Sequence, residues 1–254
     1  MGCTMRLRST SAALALVVVG LIGSIKPTTA HSMAFDFTGT FVAADPHSLG
    51  GIFTVPILSY PASTITGAFT FDANVPDSDG SVTVGLYSGA IQTLSFSVTK
   101  PITADTYQFG LDLSGSSGRA VQNAIVVNAN ATTVNQSYVL SASVANQTPA
   151  GPIVDGGDYF AREFYINLIN PSGPAFATDA LRETPPDRSL FSLYSAATNP
   201  SGQFRLVFSG SDGDHIIIGN LTSLSVSAVP IPAAVYLFGS GLAGIAMFLR
   251  RQPR

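Results

Sequence analysis

Ile65-Thr66-Gly67-Ala68-Phe69-Thr70-Phe71 is the stretch that decides the fold class. Ile65, Phe69 and Phe71 fall on odd positions and the threonines on even ones. A period of two puts the apolar set on one face of an extended strand and the hydroxyls on the other, whereas a helix would scatter both around its axis. The same alternation runs through residues 35–42, 91–98 and 203–208, and in shorter form through 107–113, 125–127, 138–144, 164–169, 216–218 and 221–226. Between these runs stand Asp77-Ser78-Asp79-Gly80, Ser114-Gly115-Ser116-Ser117-Gly118, Asp155-Gly156-Gly157-Asp158, Asn170-Pro171-Ser172-Gly173-Pro174 and Ser211-Asp212-Gly213-Asp214, all built from turn-forming residues. No helix-period segment competes between the two ends of the chain. Short strands with Gly, Pro and Asn turns predict an all-β domain, a single antiparallel β-sandwich of jelly-roll type, over residues 31–228.

Charge is sparse and uneven. Only 11% of the 254 residues are charged, against roughly 25% in ordinary soluble domains. Residues 31–228 hold all fifteen acids but just six bases, Lys100, Arg119, Arg162, Arg182, Arg188 and Arg205, leaving a formal charge of −9. Such a domain repels phosphate backbones, which excludes nucleic acid as a partner. Its only route to stability is a core and its strand ladders, because the sole cysteine, Cys3, lies upstream.

The ends have their own logic. Residues 1–8 carry Arg6 and Arg8 and no acid, residues 11–25 are an apolar run, and Thr28-Thr29-Ala30 supplies small residues for cleavage. That order of charge, apolar core and small residues predicts a secretory signal peptide over residues 1–30. Cys3 precedes the apolar core and so is no lipidation site. At the far end, residues 233–249 are seventeen positions without a charge, about 26 Å as a helix, enough to span a bilayer with little to spare. Arg250, Arg251 and Arg254 follow as a basic stop-transfer tail over residues 250–254. Positive flanks stay cytoplasmic, so residues 31–228 are expected outside.

Immediately before that run stands Val229-Pro230-Ile231-Pro232. Each proline fixes φ near about −65° and removes a backbone donor, which holds the segment extended and unpaired, the form a protease requires. The order of Val-Pro-Ile-Pro, a small and apolar stretch, and Arg-Arg resembles the PEP-CTERM sorting signal, here covering residues 229–254 in a variant with Ile231 where the founding motif has Glu. Leu-Pro-x-Thr-Gly, the sortase signal, is absent. The resemblance implies exosortase as partner, membrane attachment through the C-terminal helix, and release or retention at the surface of a bacterium that makes exopolysaccharide. Residues 65–72, 76–78, 87–91, 178–181 and 184–187 resemble a type of domain found ahead of such signals, for which no reaction is implied.

Residues for chemistry are few. His31, His47 and His215 are the only histidines, and no His-x-x-x-His, nucleophile elbow or phosphate-cradling glycine loop is present. Asp212, Asp214 and His215 share one turn, where a polar hairpin tip is the ordinary reading. Asp72, Asp77 and Asp79 are the candidate ligands for a structural Ca²⁺, since a hard cation collects several carboxylate oxygens, though the closing Glu of an EF-hand is missing. No catalytic residue and no other cofactor are expected. The chain therefore reads as an exported, non-catalytic cell-surface or extracellular-matrix protein of a biofilm, associated with exopolysaccharide. The alternative is a secreted carbohydrate-binding module, with Ca²⁺ if the aspartates converge, for which Tyr87, Tyr107, Tyr159 and Tyr194 are the candidate sugar-stacking platforms.

Overall fold

Strand follows strand along almost the whole of the described chain. The computed structural model describes residues 31–44, 62–101, 103–115, 120–130, 135–148, 153–154, 158–211 and 213–227. Eleven strands are present among the described residues: β1 (Ser32–Ala44), β2 (Thr64–Asp72), β3 (Val84–Ser88), β4 (Ile91–Thr99), β5 (Thr106–Leu111), β6 (Asn123–Asn128), β7 (Gln136–Thr148), β8 (Ile153–Val154), β9 (Asp158–Asn170), β10 (Phe204–Gly210) and β11 (Gly213–Val226). One 3₁₀ turn, Arg188–Leu190, lies between β9 and β10. The all-β, antiparallel expectation is met, and every pairing is antiparallel.

The sandwich expectation is corrected. Around the ring the order is β7-β5-β4-β2-β1-β11-β10-β9, and β9 pairs back onto β7 from Gln136↔Asn170 to Ser143↔Glu163, closing eight strands into a barrel. A sandwich and a filled barrel impose the same inward-outward alternation on each strand, so period alone cannot separate them. Closure comes from strand length and bending. β1, β7, β9 and β11 run 13 or 14 residues, and register shifts interrupt the ladders at Thr38/Gly39, Phe41/Ala43, Thr70/Phe71, Gln108/Phe109 and Val207/Phe208. Each irregularity adds local twist, which curls a long sheet onto itself. β7 is shared along its length, pairing with β6 through residues 137–142 and with β5 through 144–148, so that β6 and β3 branch off the barrel as a flap.

Phenylalanine fills the lumen. Phe35, Phe37, Phe41, Phe69, Phe71, Phe96, Phe109, Phe164, Phe204 and Phe208 are all buried. Rings from strands that are not neighbours meet across the interior: Phe37 and Phe164 at 5.4 Å, Phe96 and Phe164 at 4.7 Å, Phe109 and Phe208 at 5.9 Å. Burying each ring contributes about 1.5–3 kcal/mol, and offset or edge contacts add to it. Two inward glycines make the packing possible. A Cβ on Gly39 would stand 2.6 Å from Phe204, and one on Gly67 would stand 2.6 Å from Phe37. The ring takes the space that a side chain would occupy.

Candidate functional site

The sorting motif Val229-Pro230-Ile231-Pro232, the run 233–249, the tail with Arg250, Arg251 and Arg254, and the signal segment 1–30 lie outside the described residues. Among the described residues no helix is long and apolar enough to cross a membrane.

The three aspartates proposed for Ca²⁺ are each turned toward their own backbone. Asp72 Oδ1 accepts from the Asn74 N–H at 2.9 Å, and Asp79 Oδ1 from the Ser81 N–H at 2.8 Å. Asp77 Oδ1 accepts from the N–H groups of Asp79 and Leu86, both at 2.8 Å. Among the described residues no three His, Cys, Asp or Glu side chains gather as a metal group. Asp77 and Ser78 tie this turn to the edge of β3, since the Ser78 N–H and Oγ both donate to the Leu86 carbonyl, at 2.9 and 2.8 Å. That blunts an outer strand edge otherwise open to pairing with a foreign strand.

Two of the tyrosines proposed as sugar platforms are core residues. Tyr159 is 3% exposed and packs edge-on to His215, while Tyr87 is 6% exposed and its hydroxyl donates to the Asp179 carbonyl at 2.9 Å. Burial, helped by Asp77 and Asp179, raises the Tyr87 phenol above its usual range. Tyr107 and Tyr194 are half-buried, with Lys100 lying over the Tyr107 ring. The Tyr87 bond also joins 87–91 to 178–181, two of the five segments on which the domain resemblance rests.

Asp214 stands beside the tip of the β10–β11 hairpin, as expected, and joins an ion network at one barrel end, while His215 is buried against Tyr159 and Asp212 lies outside the described residues. Arg162 is inserted at the irregularity of β9 opposite β10. Its Nη1 donates to Asp214 at 2.5 Å and its Nε and Nη2 to Glu163 at 2.9 and 2.7 Å, while the Tyr165 hydroxyl donates to the other Glu163 oxygen at 2.6 Å. Arg205 stacks on the Tyr165 ring at 3.9 Å. Each charge has a partner, and the cluster holds the rim together.

What the outer face offers is a cleft of about 920 Å³ across β1, β2, β4 and β5. Pairing registers arrange its lining in two outward-facing transverse rows on either side of an inward-facing row of Phe37, Gly67, Phe96 and Phe109. Thr38, Thr66, Ser97 and Gln108 stand side by side in one, and Asp36, Ala68, Ser95 and Gly110 in the other. The second row is a trough floored by small residues. Asp36 stands at one end, and at the other Gln147 lies across Gly110, with its amide 3.2–3.3 Å from where a Cβ would sit. Among the described residues the side chains of Asp36, Thr66, Ser95, Gln108 and Gln147 make no hydrogen bond or ion pair. None of these was a candidate from the sequence. Their types were visible at alternate positions, but which of them share a row depends on register. No family model, no curated protein and no solved structure matches the chain.

Proposed function

We propose that this is an exported, non-catalytic protein of the cell surface or extracellular matrix, processed by exosortase at its C-terminus and associated with exopolysaccharide. The observation that carries this reading is Val229-Pro230-Ile231-Pro232 directly ahead of seventeen uncharged residues and Arg250-Arg251. Paired prolines keep the backbone out of a helix and its carbonyls free for a protease. An acidic, cysteine-free domain built on ring packing and strand ladders is in keeping with a passive structural role outside the cell.

The test is the double substitution Pro230→Ala and Pro232→Ala in the native host. With alanine, the following helix can extend backward and sequester the cleavage carbonyls. Unprocessed protein should then accumulate in the membrane fraction, with the full C-terminal mass by mass spectrometry, and deletion of the host exosortase should give the same result. Processing of the double variant at the parental rate would leave residues 233–249 as a plain permanent anchor and defeat the proposal.

A further inference from the structure

The barrel lumen is filled, and the transverse cleft on the outer face is a concavity with room for a ligand. Its volume, about 920 Å³, lies within the roughly 300–1,000 Å³ of small-molecule and oligomer sites. The chemistry of its lining narrows the ligand. Hydroxyls of Thr38, Thr66, Ser95 and Ser97 both donate and accept, and the amides of Gln108 and Gln147 offer an oxygen and two N–H groups each. A complementary ligand presents the same mixture along its length. The cleft holds one carboxylate, Asp36, and no cation, within a domain of net charge −9, which disfavours a polyanion. A peptide strand would seek an edge of the sheet, where unpaired backbone groups lie, and not this face, whose ladders are complete. Crossing four strands at about 4.8 Å spacing, the trough is roughly 14 Å long, which suits a short run of a linear chain.

We infer that this cleft binds a neutral, hydroxyl-rich glycan, laid across β1, β2, β4 and β5 with its hydroxyls against the Thr66, Ser97 and Gln108 row and one end at Asp36. This deepens the matrix reading above by giving the exopolysaccharide association a place on the barrel, yet it needs no exosortase and is separable from the sorting proposal.

The test uses full-length protein purified in detergent micelles, run by affinity electrophoresis through native gels containing dextran, laminarin or galactomannan, with alginate as the acidic polymer. Ser95 is exposed, so Ser95→Trp fills the trough without entering the core, and Ser172→Trp in the β9–β10 loop is the matched control. Retardation by at least one neutral polymer is expected, weakened ten-fold or more by Ser95→Trp and by the triple variant Thr66→Ala, Ser97→Ala, Gln108→Ala, and unchanged by Ser172→Trp, with all melting temperatures alike. Four outcomes overturn the inference: no retardation by any neutral polymer, parental binding by Ser95→Trp, stronger retardation by alginate than by the neutral set, or a sugar-independent dimer that Ser95→Trp abolishes. None of these would disturb C-terminal processing, so the two proposals fail separately.

Discussion

Tyr138 is the residue whose chemistry fits its place least well. It faces the lumen from β7 at 1% exposure, and among the described residues its hydroxyl has no hydrogen-bond partner. An unsatisfied buried hydroxyl costs about 1–3 kcal/mol relative to a bonded one. Tyr138→Phe removes the hydroxyl and keeps the ring, so stability in denaturant titration should hold or rise by about 1 kcal/mol. The same burial raises the Tyr138 phenol well above its ordinary range, and burial likewise raises Tyr165 beside Glu163. A raised native value means that the fold binds the proton more tightly than the open chain does. The stability from this source is complete below about pH 10, where the unfolded phenol is still protonated, and is lost as pH climbs toward the native values. The tyrosinate absorbance of the buried rings should therefore appear together with unfolding in an alkaline titration, and the loss of stability should be shallower in Tyr138→Phe.

At the scale of elements, the long connection from β9 to β10, residues 171–203, is held by side-chain amides acting as backbone. Gln136 is buried, its Nε2 donating to the carbonyls of Ala129 and Phe176 while its Oε1 accepts from the N–H groups of Ala175 and Phe176. Gln203 repeats the device, donating to the Phe191 carbonyl at 3.2 Å and accepting from the Leu221 N–H at 3.1 Å. Asn199 donates to Ser192, Asn220 accepts from Tyr194, and Asp187 caps the 3₁₀ turn through Ser189, whose bonds lower the Asp187 carboxyl. Phe176 and Phe191, ring to ring at 5.7 Å, are thereby carried into the core. Gln136→Ala strands four backbone groups, three of them on the buried residues Ala129 and Phe176, and a loss of about 2–4 kcal/mol is expected. Limited proteolysis should then cut within 171–203 before the strands, which a merely uniform loss of stability would not produce. Sequence alone marked Asn170-Pro171-Ser172-Gly173-Pro174 as a turn, but nothing in it reveals that Gln136, thirty-odd positions earlier, secures the start of this connection.

For the whole molecule, the strands were legible and their arrangement was not. The alternation at 65–71 and 91–98 gives β2 and β4, and it identifies Phe69, Phe71, Leu94 and Phe96 as inward residues, because burial on one face is a local pattern. Closure rests on β9 returning to β7, and the cleft on which outward residues share a row. Both are set by pairing between distant segments, which no local period encodes. Tyr87 and Tyr159 edge the core, the commoner case for a tyrosine, and sequence cannot separate that case from an exposed platform because a tyrosine at a strand end reads alike in both. The same limit applies to Asp77, whose acceptance of the Leu86 N–H of β3, nine positions on, no local pattern reveals.

β1 and β11 run side by side in opposite senses, and the Ser227 N–H donates to the Ala34 carbonyl at 2.8 Å, so both strands start and finish at one rim. Mechanically, this makes the barrel anisotropic. Tension applied between residues 31 and 227 peels β1 from β11 one hydrogen bond at a time. Tension between residue 227 and Thr64, which shares its row with Thr40 and Asn220 seven residues back along β11, runs along β11 and loads its bonds to β1 and β10 together. Residues 31–228 contain no cysteine and Thr64 is exposed, so a thiol introduced at either His31 or Thr64 is a unique handle in that domain. Optical-tweezer rupture should require markedly greater force from Thr64 than from His31, and equal forces would contradict the β1–β11 register. A protein tethered near its C-terminus and gripped at the far end of β2 would then bear drag in its stronger direction.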